Sequence, residues 1–343
     1  MSRFVCSGCG RMKTVVRSHT VGSKLSMRSR GNRNNRSYTK SSRKLYYRNH
    51  ELLLAEDLRD PNLLRFDAHV HTDSSDGRLH PNEVPKLVRY KRNNLTCIAI
   101  TDHEYITNFY YNDDRVVNGI EVVAWFSEKK RQHYVHLTGI GLQSEEILSD
   151  VKFYRRKRRE FYREVIGFLG QKVYTDLSES DIPDNITLTQ GLWEISKFFV
   201  EGLPDTDHPE FLINHIHNEI IRQFNVHFYD AIWPAIDFVR AVHKSGGKVM
   251  FAHPGTYNFP GYDVGRVANI LFDIGVDGIE VVHPDYSEKD VLFYAQIAKQ
   301  RRRLIVMGSD FHGSFDYRVD LYREYSNRLF NMVSLVNLAR EHL

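Results

Sequence analysis

The sequence predicts an α/β fold in which seven strands and their connecting helices form a (β/α) barrel. Short β-type runs alternate with helical patterns from about residue 60 onward, as in parallel α/β folds. Hydrophobic residues make up 41% of the 343 residues, which is ordinary for a globular protein with a sizeable core. Histidines and carboxylates recur where the β-type runs end, which is the face where such barrels assemble active sites.

The seven strand candidates, in chain order, are 64–71, 96–101, 116–124, 134–142, 249–253, 278–283 and 304–308. Parallel strands need crossover connections, and helical patterns supply several of them. The helix candidates are 82–92, 231–244, 264–274 and 328–341. The prediction of a closed barrel rests on the number of strands.

The chain divides into a basic arm at 1–58 and a barrel at 59–343, and the barrel carries a long insertion at about 143–229. The insertion opens with a very basic helical stretch, continues through an acidic connection and ends in an aromatic-rich helical region. Insertions of this length between barrel elements are typically functional, often as a lid over the active face. We therefore expect a helical subdomain beside the site.

The net charge of +4 is the sum of two regions of opposite charge. Residues 1–50 carry 13 Lys and Arg and no acidic residue, so the remainder has a net charge of −9. We expect the arm to be disordered. It is consistent with contact to RNA or DNA phosphates, with an organelle transit peptide, or with a solvated tail.

Other whole-chain features restrict the class of protein. No apolar run approaches the 18 or so residues of a membrane span, so we expect no membrane association. Three cysteines in 343 residues suit a reducing compartment, and we expect a cytoplasmic protein. The sequence does not indicate an oligomeric state.

Histidines cluster at the predicted strand ends. Asp67, His69 and His71 alternate along the first strand, so their side chains are expected on one face. Six imidazoles and three carboxylates would converge at the active face, and these residue types are good ligands for Zn, Mn or Fe. Nine ligands are too many for a single ion that keeps an open coordination position, so two or three ions are expected. The nine candidates are His69, His71, Asp76, His103, Glu121, His136, His253, Asp310 and His312.

These motifs resemble those of the PHP (polymerase and histidinol phosphatase) family of metal-dependent phosphoesterases. The resemblance runs from about 64 to 315 and looks closest to a bacterial subgroup that hydrolyses nucleoside 3′,5′-bisphosphates and trims RNA from the 5′ end. It implies a distorted seven-stranded (β/α) barrel. The motifs are His69-Val70-His71 with Asp76, Thr101-Asp102-His103, Gly119-Ile120-Glu121, His136, Ala252-His253-Pro254-Gly255 and Ser309-Asp310-Phe311-His312.

The resemblance also implies roles for single residues. His69, His71, Glu121 and Asp310 would hold one ion, and Glu121 would bridge to a second ion held also by His136 and His253. Asp76, His103 and His312 would hold the third. Glu121, His253 and Asp310 carry over as catalytic residues, and Asp67 and Asp102 as residues that orient the ligands.

The expected chemistry is hydrolysis of a phosphomonoester or phosphodiester of a nucleotide or short RNA. A hydroxide bridging two ions would attack phosphorus while the ions neutralise charge on the phosphoryl oxygens. Candidates for holding substrate are Arg155, Arg156, Arg159, Glu280 and His283. The subgroup usually carries Arg and His where this chain has Gln190 and Leu192. The sequence therefore does not determine the substrate of this chain.

Two other functions remain open from the sequence. The same cluster would serve a small-metabolite phosphatase, such as a histidinol-phosphate phosphatase. A nucleic-acid-binding PHP module with a purely structural metal site is the third alternative. Against that alternative, all nine ligand positions are filled, whereas a degenerate site would have lost some of them.

Overall fold

The computed structural model describes eight stretches of the chain. The basic arm and the predicted helix 328–341 lie outside them. The described residues are 66–89, 97–107, 116–129, 131–142, 144–171, 176–201, 209–257 and 262–313.

Seven strands close into a ring, which confirms the predicted barrel. The ring runs from the first strand through the second, third, fourth, sixth, seventh and eighth and back to the first. A two-residue fifth strand pairs with the far end of the third. The strands are β1 (Phe66–Val70), β2 (Cys97–Ile100), β3 (Val116–Glu128), β4 (Arg131–Ile140), β5 (Trp233–Pro234), β6 (Lys248–Phe251), β7 (Gly278–Val282) and β8 (Leu304–Met307).

The parallel strand pattern expected from the sequence does not extend to β4. This strand pairs antiparallel with both β3 and β6, from Gly119 opposite Ile140 to Glu128 opposite Arg131. Only two residues separate β3 from β4, and a connection that short can join antiparallel strands but not parallel ones. His136 therefore comes from the middle of β4, not from the end of a parallel strand.

Helices cover the outside of the barrel, and their apolar faces join the strands in one core. The predicted helix 264–274 is confirmed, whereas the one predicted at 231–244 begins four residues later because Trp233 and Pro234 pair with β3. The helix after β7 was not predicted, although Ser287 and Asp290 form a capping box at its start. The flanking helices are α1 (Val84–Arg89), α6 (Ala235–Lys244), α7 (Val264–Ile274) and α8 (Glu288–Gln300).

The insertion is helical and has its own apolar core. Gly191 allows two of its helices to approach closely, since a Cβ there would lie 2.0 Å from the Tyr162 hydroxyl. Leu192, Ile195 and Phe199 bury one face of the same helix in that core. The insertion helices are α2 (Ser144–Gly170), α3 (Leu188–Glu201), α4 (Pro209–Gln223) and α5 (Asn225–Asp230). Among the described residues, no helix is both long and apolar enough to cross a membrane.

Candidate metal centre

The Glu121 carboxylate lies at the centre of the histidine cluster. It is fully buried on β3, and its backbone forms a bridge with His103 that ties the end of β2 to β3. Five imidazole nitrogens approach its two oxygens. They belong to His136 at 2.8 Å, His103 and His253 at 2.9 Å, and His69 and His71 at 3.2 Å.

The structure gathers all nine predicted ligands into three overlapping groups. In each group, one donor atom per residue lies within 4.8 Å of every other donor. Glu121 belongs to two groups, and so does His71. The groups are His69, His71, Glu121 and Asp310; Glu121, His136 and His253; and His71, Asp76, His103 and His312. They match the sets implied by the motifs, with His71 added to the third, although the ligand assignment itself stays a prediction.

Several polar atoms of this cluster fit metal ions better than they fit one another. Asp76 Oδ1, His103 Nδ1 and Glu121 Oε2 are buried and form no hydrogen bond, although nitrogens and oxygens lie close by. Buried polar atoms without partners are rare and costly. Imidazole nitrogens and carboxylate oxygens that converge on one point are the arrangement that a divalent ion needs from its ligands.

The charges in the cluster are strongly coupled. Burial by itself would raise the pKa of the Glu121 carboxyl, but the surrounding histidines hold that pKa well below its usual value. The same balance holds the pKa of Asp310 low. Burial would lower the pKa of His69, but Glu280, Glu121 and Asp310 raise it well above the ordinary histidine value. Without bound cations, the neighbouring carboxylates therefore favour the protonated form of His69.

Two further buried carboxylates, those of Glu280 and Asp67, hold candidate ligands in position through close polar contacts. Glu280 is fully buried on β7, where its Oε1 lies 2.8 Å from His69 Nδ1 and its Oε2 accepts the His253 backbone N–H at 2.7 Å. Asp67 accepts the backbone N–H groups of His69 and Ser309 at 3.2 and 3.0 Å. A carboxylate on the remote nitrogen of an imidazole fixes the tautomer and orientation of the ring. Glu280 thus contacts the candidate ligands His69 and His253.

Asp102 organises the loop that carries Asp76. Its carboxylate accepts the Thr72 backbone N–H and the Ser75 hydroxyl, both at 2.7 Å, and the Thr72 hydroxyl at 2.8 Å. Thr107 donates a further hydrogen bond to the same carboxylate. The expectation that Asp102 orients ligands is therefore consistent with the structure through the loop, not through direct contact with an imidazole.

Backbone strain concentrates at this site. Of the five non-glycine residues with positive φ among the described residues, His253 and Asp310 are candidate ligands and Glu104 follows His103. Their φ values are 28°, 50° and 51°. Non-glycine residues in this region cost about 1–3 kcal/mol each and persist where the surroundings enforce them, commonly at functional sites.

Two of the three predicted substrate arginines lie together near the cluster. Arg155 and Arg159 on α2 both contact the Asp184 carboxylate, at 3.0 and 2.6 Å. The Arg155 guanidinium also lies 5.5 Å above the ring of Tyr105, two residues beyond His103. Arg156 is separate from this pair: its side chain is 64% exposed and contacts Glu160.

A buried polar contact not predicted from the sequence joins the insertion to the barrel. Arg158 on α2 is almost fully buried, donates to the Asp184 carbonyl at 2.7 Å and lies 3.8 Å from the Glu104 carboxylate. The Trp233 indole N–H donates to the same carboxylate at 3.2 Å. Burial raises the pKa of Glu104, while Arg158 opposes that shift. In the sequence, Arg158 is indistinguishable from its basic neighbours on α2.

Gln190 and Leu192 occupy very different positions in the structure. Leu192 is fully buried in the core of the insertion. Gln190 reaches the cluster, where its amide donates to Asp76 Oδ2 at 2.6 Å. Neither residue presents a charge to a substrate.

His283 lies beside the cluster at the end of β7. The residue is 3% exposed, and its ring lies 6.3 Å from the ring of His253. Nδ1 accepts the Asp285 backbone N–H at 3.2 Å, so in the neutral ring the hydrogen lies on Nε2, which is buried without a partner. Burial lowers the pKa of this histidine. The prediction that it contacts substrate stays open.

Comparison with known proteins places this site in an enzymatic context. No protein-family model matches the chain. A phosphoribosyl 1,2-cyclic phosphate 1,2-diphosphodiesterase of Eggerthella lenta is 26% identical over 262 residues, covering 73% of this chain and 94% of the relative. A 3′,5′-nucleoside bisphosphate phosphatase of Chromobacterium violaceum is also 26% identical, over 271 residues, covering 73% and 88% of the two chains. The 5′-3′ exoribonuclease Rnm of Salmonella typhimurium is 23% identical over 269 residues, covering 72% and 85%.

The chain is a homologue of phosphate-ester hydrolases. The relationship inferred from the motifs is confirmed, since the relatives include both a nucleoside bisphosphate phosphatase and a 5′-3′ exoribonuclease. The chain covers at least 85% of each of these three relatives. The similarity therefore spans most of each of these enzymes.

Proposed function

We propose that this protein is a divalent-metal-dependent hydrolase of phosphate esters in nucleotides or short RNA. The observation that carries the proposal is the set of three donor groups sharing Glu121 in a homologue of phosphoesterases. We further propose that each group holds one ion, giving three per chain, of Mn, Fe or Zn. Bound there, such ions would lower the pKa of water and neutralise charge on phosphoryl oxygens.

The protein's own residues supply rigidity and phosphate recognition. Glu280 and Asp67 fix the β1 histidines, and Asp102 fixes the loop carrying Asp76. Arg155 lies between the Asp184 carboxylate and the Tyr105 ring, where a guanidinium can exchange one carboxylate contact for a substrate phosphate. These features support an anionic substrate that enters between the insertion and the barrel.

The test is hydrolysis by the full-length protein supplied with Mn²⁺. The panel contains adenosine 3′,5′-bisphosphate, a short 5′-phosphorylated RNA, a ribose cyclic phosphate and histidinol phosphate. We expect cleavage of at least one of the first three, with loss of activity in Asp310→Asn. Cleavage of histidinol phosphate alone would favour a metabolite phosphatase. A protein that cleaves nothing but binds RNA would favour the nucleic-acid-binding alternative, and both results contradict the proposal.

Arg155→Ala is expected to raise KM about tenfold with little change in kcat. The reason is that a phosphate contact made equally in the ground and transition states contributes to binding alone, and tenfold corresponds to about 1.4 kcal/mol. Steady-state kinetics on the best substrate of the panel measures both constants. Arg156→Ala is the matched control, since Arg156 is on the same helix but is largely exposed and contacts Glu160. Equal KM values for the two variants would contradict the role of Arg155.

A further inference from the structure

Gln190 lies at the start of α3, and both the oxygen and the NH₂ group of its side-chain amide form hydrogen bonds. Its Oε1 accepts the Thr187 backbone N–H at 2.7 Å, and its own backbone N–H donates to the Thr187 hydroxyl at 3.1 Å. This reciprocal pair is a capping box. Because the oxygen is committed to a backbone N–H, the amide orientation is determined and the NH₂ group must point the other way.

The NH₂ group of Gln190 points at Asp76. Nε2 donates to Asp76 Oδ2 at 2.6 Å, across 114 residues of sequence. Asp76 Oδ1 lies 3.2 Å from His312 Nε2, and Oδ2 lies 3.5 Å from His103 Nε2. The amide therefore holds the one carboxylate found only in the third donor group and leaves Oδ1 to face that group.

The loop under Asp76 depends on such external contacts. Asp76 lies in a turn after β1 rather than on a strand. Asp102 holds the first half of the turn, and the insertion holds the second half through Gln190 and through Asn185, which donates to the Ser75 carbonyl at 3.3 Å. The third donor group is thus completed by a loop whose position depends partly on the insertion.

We propose that Gln190 is a positioning residue that sets the occupancy of the third metal group by orienting Asp76. This inference rests on the proposed function for the identity of the ligands as metal-binding groups. The insertion would then take part in the metal site itself, because the Gln190 side chain both caps α3 and contacts Asp76. Loss of the Gln190 contact with Asp76 would weaken binding of the third ion and leave the other two groups intact.

The test compares Gln190→Glu with the wild-type full-length protein. Glutamate keeps an oxygen for the Thr187 N–H, and so preserves the cap, but it replaces the donor facing Asp76 with a second carboxylate oxygen. Calorimetric titration with Mn²⁺ and elemental analysis after dialysis report affinity and ion number. We expect one ion to bind about 10–100-fold more weakly, the range typical of residues that orient metal ligands. The remaining ions should bind as in the wild type.

Two further variants separate positioning from stability. Gln190→Met removes the donor without adding charge and should weaken the same ion. Thr187→Ala removes the hydroxyl of the cap but keeps the backbone N–H that orients Gln190, so it should lower Tm and leave Mn²⁺ binding unchanged. Wild-type affinity and ion number in both Gln190 variants would overturn the inference. Failure of the proposed function would be seen separately, as a wild-type protein that binds Mn²⁺ but hydrolyses nothing.

Discussion

Glu121→Gln is expected to abolish hydrolysis, with a loss of about 10³-fold or more. Losing one group that stabilises developing charge costs about 10²–10³-fold, and this carboxylate belongs to two donor groups at once. The amide keeps the shape of the side chain but loses the charge that five imidazoles surround. We therefore also expect at least one ion, and up to two, to be lost from the protein. Activity assays and elemental analysis on the same sample measure both effects.

The matched control is Glu128→Gln. It makes the same substitution on the same strand, but Glu128 lies at the far end of β3 and contacts Arg266 at 3.1 Å. We expect full activity and a full complement of ions. A Glu121→Gln protein that keeps its ions and more than a tenth of its activity would contradict the central position given to this residue.

The clustering of the candidate ligands could be predicted because most of them lie at strand ends that the sequence marks clearly. His69 and His71 alternate on the first strand, and Asp310 and His312 follow the last one. In a closed barrel, strand ends meet at one edge, so residues 69 and 310 come within 3.3 Å despite their separation in sequence. Strand position alone therefore placed most of the cluster.

The direction of β4 could not be predicted by the same reasoning. Its alternation of apolar and polar residues is the same whichever way the strand runs. Only the two-residue connection to β3 decides the direction, and the predicted end of β3 fell four residues short of Glu128. The predicted gap of nine residues, 125–133, was already shorter than the dozen or so that a crossover needs, so the loop length was a signal that the prediction overlooked. His136 still lies in the predicted cluster, because a mid-strand residue can reach the barrel edge from either direction.

The contacts of the insertion depend on packing that leaves no local signal. Arg155, Arg156, Arg158 and Arg159 look alike in sequence, yet two contact the Asp184 carboxylate, one is buried against Glu104 and one faces solvent. Their different environments follow from the 100° rotation per residue of a helix and from which side of α2 packs on the barrel. Gln190 did carry a signal, the Thr-x-x-Gln capping box, but its second contact with Asp76 lies 114 residues away.

Removing the metal should make the protein's stability strongly dependent on pH. In the metal-free cluster, nearby carboxylates raise the pKa values of His69, His71, His103, His253 and His312 despite burial. A histidine whose pKa is raised by folding contributes stability that is fully present below about pH 6.5 and is lost as the pH rises through the raised value. The carboxyls of Glu121, Asp310 and Glu280 have lowered pKa values, so their contribution is present above about pH 4 and is lost in acid. Metal-free protein should thus be most stable between about pH 4.5 and 6.5.

Bound ions should offset the loss of stability that the metal-free protein shows above about pH 6.5. Ions compete with protons for the imidazoles, so their binding strengthens as the pH rises and adds about 2.7 kcal/mol per ion at a free concentration 100 times Kd. We expect Tm of the metal-free protein to fall between pH 6 and 8.5, while Mn²⁺-loaded protein holds its Tm and exceeds the metal-free form by roughly 10 °C or more at pH 8. Calorimetric melting of chelated and loaded samples across this range measures the difference. His243→Gln, at the opposite end of the barrel where His243 contacts Asp277, should leave the pH slope unchanged. A metal-free Tm that stays level or rises toward pH 8.5 would show that the imidazoles hold no protons for the ions to displace.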